Sequence, residues 1–231
     1  MTTPTFFRHS FAEWKPVTAQ VRRTRLGLWL AAIVVGALWI AGRPDGVFLP
    51  TLALGVALTT AVTVAGALAG REAARVTALT LRHPASPLAL AAGRWLGVVL
   101  LAALVTLLAS VGAAWRIELG WRDGAGAALG ATCVALPIAA CALAAARLGG
   151  GVLEWLFLAF LLLVSTLVPE ATAYVPDGVL REATLAMLVT LPAIWRYRLL
   201  AAGDPVAWIH ALSWTAAGIL ITAESLRRRV P

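Results

Sequence analysis

The sequence is poor in charged residues and contains a single lysine, Lys15. Only 13% of its 231 residues are charged, whereas 61% are hydrophobic. Soluble domains have about 25% charged residues, so this chain has too few charges to cover a globule exposed to water. Disorder is excluded as well, because disordered chains are poor in apolar residues. The composition predicts a chain that is surrounded largely by lipid.

Cysteine is scarce, and the spacings that are typical of metal and nucleotide sites are missing. Cys133 and Cys141 lie eight residues apart, which on one helix is about 12 Å and too far for a disulfide. No group of Cys, His and carboxylate residues has metal-ligand spacing. The glycines at 149–151 are not followed by Lys and Ser or Thr, as a phosphate-binding loop requires. We therefore expect no metal, no cofactor and no ATP hydrolysis on this chain.

Long apolar runs predict an all-α membrane protein with six transmembrane helices. A helix needs about 20 mostly apolar residues to cross a bilayer core of about 30 Å. The run Val179–Trp195 carries Arg181, Glu182 and Pro192, so we interpret it as a re-entrant segment before the last span. The predicted spans are Leu26–Gly42, Val47–Ala69, Trp95–Trp115, Gly124–Ala146, Val152–Val168 and Val206–Ala223.

The distribution of basic residues favours cytoplasmic termini. Six spans with both termini inside place thirteen of the 19 basic residues on the cytoplasmic side, as the positive-inside rule requires. A seventh span at Val179–Trp195 would move the triplet Arg227–Arg229 outside. We therefore predict a multi-pass protein of the cytoplasmic (inner) membrane and attribute the net charge of +8 to its loops rather than to nucleic-acid binding. The six arginines predicted outside are Arg43, Arg116, Arg122, Arg181, Arg196 and Arg198.

The segment before the first span has a different pattern. Phe6, Phe11, Trp14 and Val17 recur near helical spacing, with Arg8 and Lys15 between them. This pattern is typical of an amphipathic helix on the cytoplasmic surface of the bilayer. We predict an interfacial segment at 1–25 and a transmembrane domain at 26–231. That domain contains a cytoplasmic region at 70–93 and an external region at 170–205.

A few polar residues and glycine pairs inside the spans are candidates for particular roles. Thr59 and Thr63, together with Thr60, are expected to bond to the backbone of their own helix; the first two are also candidates for a translocation path. His210, near Asp204, is a candidate because an ionisable group inside a span is often functional; the alternative places it at the outer interface. The glycine pairs Gly66/Gly70, Gly93/Gly97 and Gly126/Gly130 have the four-residue spacing that allows close helix packing.

The connection between the second and third spans is the most informative segment. Pro84 and Pro87 interrupt its helical pattern, and Ser86 can cap the next helix with Pro87 at the first position. We predict a short surface helix, a turn and then a helix that enters the membrane. Such an element suits docking of a soluble partner; the alternative is a basic loop held by anionic lipid. The predicted docking residues are Arg71, Glu72, Arg75, Arg82, His83, Pro84 and Ser86.

The run TLRHPASPLALAAGRWLG at 80–97 resembles the stretch between the second and third spans of ABC-2-type transporter permeases. Arg71-Glu72 resembles the start of that family's coupling helix, Pro84-Ala85-Ser86 its turn, and Gly93-Arg94 the entry to its third helix. The resemblance implies that Arg71–Leu81 docks on a separate cytoplasmic ATPase, which binds ATP and Mg. It also implies a homodimer or heterodimer of permeases, with substrate passing between the two copies.

Other functions stay open at the level of sequence. Arg147-Leu148-Gly149-Gly150 resembles a turn in the haem-exporter B subunits of cytochrome c maturation, which share the six spans and the dependence on an ATPase. A structural or assembly subunit of a membrane complex is a further hypothesis, and His210 with Asp204 would be the centre of a membrane-embedded enzyme. The uniformly apolar spans favour a hydrophobic or amphipathic cargo, and the family resemblance implies export.

Overall fold

The structure is a computed structural model that describes residues 26–40, 48–69, 86–149, 153, 155–160, 178–179, 181–182, 186, 191–192 and 194–228. All regular secondary structure in these ranges is helical, as predicted. Residues 155–160 are helical as well. The principal elements are α1 (Leu26–Ile40), α2 (Phe48–Ala69), α3 (Pro87–Arg116), α4 (Trp121–Gly149), α5 (Ile194–Tyr197), a 3₁₀ helix (Arg198–Leu200) and α6 (Pro205–Arg227).

Four of these helices, α2, α3, α4 and α6, are long and apolar enough to cross a membrane. α1 has 15 described residues and is apolar along its whole length. The predicted interfacial segment 1–25, the surface helix Arg71–Leu81 and most of the predicted re-entrant segment lie outside the described residues. The predicted span Val152–Val168 is described at 153 and 155–160, which are helical.

Side-chain caps fix the starts of α3 and α6. The Ser86 hydroxyl accepts a hydrogen bond from the N–H of Ala89 at 3.0 Å, and Pro87 takes the first helical position. The predicted cap is therefore confirmed, and α3 runs without a break from Pro87 into the third span. Asp204 caps α6 in the same way, accepting from the N–H groups of Val206 and Ala207. Each cap satisfies donors that the first helical turn leaves without a partner.

Contacts between helices define their relative directions. Gly124, at the start of α4, lies against Ser110, near the end of α3, so α3 and α4 are antiparallel. α4 and α6 are parallel, because Gly130 lies beside Ala201, which precedes α6, while Ala140 touches Gly218, further along it. The start of α3 packs on the end of α6 through Leu90, Ala91, Ala223 and Leu226. The end of the bundle where α2 ends and α3 and its cap begin is called the connection end below.

The core is built from small residues, and α4 lies at its centre in contact with α2, α3 and α6. Many alanines on α2, α3 and α4 are buried, and this lets the helix backbones approach closely. On α2 they recur at every fourth position and form one stripe, while Thr51, Gly55, Thr59 and Thr63 form the least buried stripe of the same helix. The buried stripe consists of Ala53, Ala57, Ala61 and Ala65.

Candidate functional site

A cleft of about 790 Å³ opens between α2, α4 and the 3₁₀ helix, at the end of the bundle opposite the connection end. The first turns of α2 supply Leu49, Thr51 and Leu54 to its wall. α4 supplies the face that carries Asp123, Gly126, Gly130 and Val134, together with Arg122 beside Asp123, and the 3₁₀ helix supplies Arg198. The cleft is therefore formed by the starts of two long helices and by the segment that leads into α6.

Among the residues that the structure describes, two guanidinium groups and one carboxylate line the mouth of the cleft. Arg122 and Arg198 are both exposed and line the same cleft as Asp123. The Asp123 carboxylate accepts a hydrogen bond from the N–H of Gly120 at 3.1 Å, so part of its acceptor capacity is already used. The Arg122 guanidinium lies 5.6 Å from the centre of the Trp121 ring, close enough for a cation–π contact. These three described side chains are together net positive, and a guanidinium can bind a carboxylate or phosphate group in fork geometry.

The interior of the cleft is apolar and is widened by glycine. Leu54, Ala131 and Val134 line it. A methyl group added at Gly126 would meet nothing within 4 Å, and one at Gly130 would meet only the Ala201 side chain, at 3.9 Å. Within the described part of this one chain, Gly126 and Gly130 therefore make no close contact with a neighbouring helix backbone and instead leave space in the cleft. A positive mouth over an apolar interior suits an amphipathic anion.

The threonines proposed for a translocation path lie below the cleft on the same face of α2. Thr51 lines the cleft, and Thr59 and Thr63 follow it along the helix in steps of four. The Thr59 hydroxyl donates to the carbonyl of Gly55, and the Thr63 hydroxyl donates to that of Thr59, both at 2.7 Å. The prediction that these threonines bond to their own helix is confirmed for Thr59 and Thr63. It is wrong for Thr60, whose buried hydroxyl has no hydrogen-bond partner among the described residues. Because the hydroxyl hydrogens of Thr59 and Thr63 are both used in these bonds, the two side chains can offer only acceptor oxygens to another molecule.

His210 and Asp204 both make structural contacts near the start of α6. The Asp204 carboxylate is engaged by the backbone at the start of α6. The half-buried His210 ring lies 5.6 Å from the ring of Tyr197, which is fully buried. The Trp208 indole N–H donates to the carbonyl of Leu200 at 3.1 Å. Together these contacts fasten α5 and the 3₁₀ helix to α6, and so hold Arg198 at the cleft.

Of the predicted docking residues, Ser86 is described, and it acts as the cap of α3. Arg71, Glu72, Arg75, Arg82, His83 and Pro84 lie outside the described residues. The connection that contains them leaves the bundle at the end of α2 and returns at Ser86. It is therefore attached at the end of the bundle opposite the cleft.

No model of a known protein family matches the chain, and no curated protein matches it. Among the residues that the structure describes, no group of three or more His, Cys, Asp or Glu could hold a metal ion. The chemistry of the cleft is therefore that of its two guanidinium groups, its carboxylate and its apolar interior.

The sequence does not show that Arg122 and Arg198, which are 76 positions apart in the chain, line the same cleft. The distribution of basic residues over the predicted spans could have indicated this, because it places both Arg122 and Arg198 on the outer side of the membrane.

Proposed function

We propose that this chain is the membrane-spanning permease subunit of an ATP-binding-cassette exporter, and that its cleft receives an amphipathic anion. It would lie in the cytoplasmic membrane with six spans and cytoplasmic termini, paired with a second permease copy. A separate ATPase would dock on residues 70–93 and supply the energy. The interfacial helix at 1–25 and the re-entrant segment Val179–Trp195 belong to the same proposal.

The observation that carries the proposal is that one helix links the cleft to the connection. Leu49, Thr51 and Leu54 of α2 form part of the cleft wall, and the same helix ends at Ala69, where the connection begins. α2 has 22 residues, which is a length of about 33 Å. Since packed interiors are rigid, a push at one end of α2 would move its other end as part of the same body.

The directions of α4 and α6 support six spans. These two helices are parallel, so the chain between them must cross the bilayer an odd number of times. One crossing, at Val152–Val168, meets that condition. If Val179–Trp195 spanned as well, α4 and α6 would be antiparallel.

The cargo class follows from the cleft. A volume of about 790 Å³ is within the range of about 300–1,000 Å³ that is typical of small-molecule sites. Arg122 and Arg198 would hold the anionic group, and the face of α4 around Gly126 and Gly130 would hold the apolar part. This refines the expectation of a hydrophobic or amphipathic cargo.

Co-purification from native membranes tests the proposal. We expect a tagged chain to bring with it an ATPase whose hydrolysis is inhibited by vanadate. Glu72→Ala and Arg75→Ala should remove that ATPase, whereas Glu118→Ala, an exposed carboxylate at the opposite end of the bundle, should retain it. Two outcomes would overturn the proposal: stoichiometric partners without ATPase activity, which would indicate an assembly subunit, or an ATPase that stays bound when residues 71–81 are deleted.

A further inference from the structure

We propose that Gly126, Gly130 and Val134 of α4 limit how long the apolar part of a cargo in the cleft can be. These three residues are called the length-limiting face below. The inference rests on the cargo class of the proposed function, an amphipathic anion, and not on the docking of an ATPase. It assigns to this face the choice among cargoes that have the same charge but differ in length.

The length-limiting face runs from the mouth of the cleft into the core of the bundle. Its residues follow one another in steps of four, so they lie one above the other on the helix, and all three line the cleft. Their burial increases in chain order, because Gly126 is exposed, Gly130 is half-buried and Val134 is only 2% exposed. Ile138, the next position of this face, is fully buried in the core. The cleft therefore opens at Gly126 and ends near Val134.

The two glycines leave the upper part of this face without side chains. A methyl group at Gly126 would enter open space, and one at Gly130 would meet only the Ala201 side chain, at 3.9 Å. The α4 backbone itself forms the wall there, so an apolar chain can lie directly against it. Val134 carries the first branched side chain of the face and closes this path. A larger side chain at Gly130 or Gly126 would close it nearer to the mouth, by about 6 Å for each step of four residues.

The distance along α4 gives the length that is available to the cargo. Asp123, at the mouth, and Val134 both line the cleft, and the rise between them along the helix axis is about 16 Å. On the opposite wall, the last lining residue of α2 is Leu54, which is buried as well. An extended apolar chain that starts at the mouth therefore meets buried side chains after about that distance.

Exposed tryptophans indicate how the cargo is oriented. Trp115 and Trp121, on either side of the turn between α3 and α4, are 84% and 66% exposed. Exposed tryptophan at the ends of membrane-spanning helices lies at the depth of the lipid headgroups. Arg122 directly follows Trp121, so an anionic group bound there lies at headgroup depth and the length-limiting face extends to the depth of the hydrocarbon core. The apolar part of the cargo thus lies along α4, with its end toward Val134.

Binding of linear saturated fatty acids, from octanoic to octadecanoic acid, measures the limit. Each acid competes with a fluorescent fatty acid for the purified chain in nanodiscs, and protein-free nanodiscs give the partition into lipid that is subtracted. Each added CH₂ group should strengthen binding about fourfold up to the acid whose chain reaches Val134, and longer acids should gain nothing further. A steady rise as far as octadecanoic acid would overturn the inference. Absence of binding by every acid would instead overturn the cargo class of the proposed function.

Variants of the length-limiting face should move the limit in opposite directions. Gly130→Leu should weaken binding of hexadecanoic acid by about tenfold or more and leave octanoic acid unchanged, and Gly126→Leu should move the limit to a still shorter acid. Val134→Ala should move the limit to a longer acid, which is a gain that a misfolded variant cannot give. Gly36→Leu is the matched control, because Gly36 lies on α1, outside the cleft, and a methyl group there would also meet nothing within 4 Å.

Two results would refute the role of this face while leaving the anionic cargo intact. One is an unchanged limit in both Gly130→Leu and Val134→Ala, which would decide the matter even if Gly126→Leu failed to fold. The other is an equal loss of affinity for every acid in Gly130→Leu, because the glycine would then support the cleft as a whole and would not select by length.

Discussion

The indole N–H of Trp95 on α3 donates a hydrogen bond to the backbone carbonyl of Leu136 on α4, at 3.0 Å. The next residue of α4 is Pro137, which lies inside the helix. Proline has no N–H, so the helix loses one internal hydrogen bond at this point. The contact from Trp95 ties the two antiparallel helices together beside that weak point.

Replacing Trp95 with Phe tests this tie. The change keeps an aromatic ring but removes the donor, and we expect the free energy of unfolding to fall by about 1–2 kcal/mol. Thermal unfolding in detergent measures the effect. Trp115→Phe is the control, because Trp115 is 84% exposed. An equal fall in both variants would show that the loss of ring size, rather than the hydrogen bond, decides stability.

Gly124 and Gly126 should respond very differently to alanine. A methyl group on Gly124 would lie 2.7 Å from the carbonyl oxygen of Ser110 and 2.8 Å from the Cα of Val111, both backbone atoms of α3. Overpacking of this kind costs about 1–3 kcal/mol, so Gly124→Ala should lower the melting temperature and the yield. Gly126→Ala, two residues away, points into the cleft and should be tolerated. Similar behaviour of the two variants would contradict the packing of α3 on α4.

Variants at Ser86 can distinguish its role as the cap of α3 from its proposed role in docking of the ATPase. Ser86→Ala removes the acceptor for the N–H of Ala89 and should destabilise the chain by about 1 kcal/mol. Ser86→Asn keeps a capping acceptor and should restore stability, as measured by thermal unfolding. If Ser86→Asn is stable but loses the co-purifying ATPase, the Ser86 side chain also belongs to the docking surface. If neither variant affects stability, the cap is not a determinant of the fold.

Binding of an amphipathic anion should depend on Arg122 and Arg198. We expect the double variant Arg122→Gln and Arg198→Gln to weaken binding of a fluorescent fatty acid to the purified chain by about tenfold or more. Substitution of both by Lys keeps the charge and should retain part of the affinity. The methyl ester of the same fatty acid lacks the carboxylate and should bind equally to all three proteins. An ester that binds as tightly as the acid to the unaltered chain would argue against recognition of the anion.

The direction of α6 can be tested by labelling introduced cysteines. In a background with Cys133→Ser and Cys141→Ser, the variants Leu119→Cys and Ala202→Cys should react with an impermeant maleimide from the outside of the cell. Arg228→Cys should react only after the membrane is opened. Labelling of Leu119→Cys and Ala202→Cys from opposite sides would show that α4 and α6 are antiparallel in the membrane.

Local patterns in the sequence predicted several elements well. The length of an apolar run indicates a membrane-spanning helix regardless of which helices pack against it. The start of α2 was therefore predicted to within one residue. The Ser86-Pro87 pair predicted the cap of α3, because a cap depends only on residues within one turn. The back-bonding of Thr59 and Thr63 is local in the same sense.

Features that depend on the packing of distant residues were not predictable. Arg94 was interpreted as the entry to the third helix, yet it is only 4% exposed and lies eight positions into α3. Gly126/Gly130 has the spacing of a close contact, but the close contacts occur at Gly124 and Gly218, because rotation of α4 and α6 decides which face meets a neighbour. The position of Arg198 at the same cleft as Arg122 depends on how the chain returns after α4.

The central position of α4 has a consequence for motion. A helix in contact with α2, α3 and α6 cannot move without disturbing three interfaces at once. We therefore expect α4 to keep its position in any conformational change. α1 contacts α2 and α3 but has more of its surface exposed, so we expect it to move more easily. The distance between spin labels on the exposed residues Leu129 of α4 and Val35 of α1 would measure that movement directly.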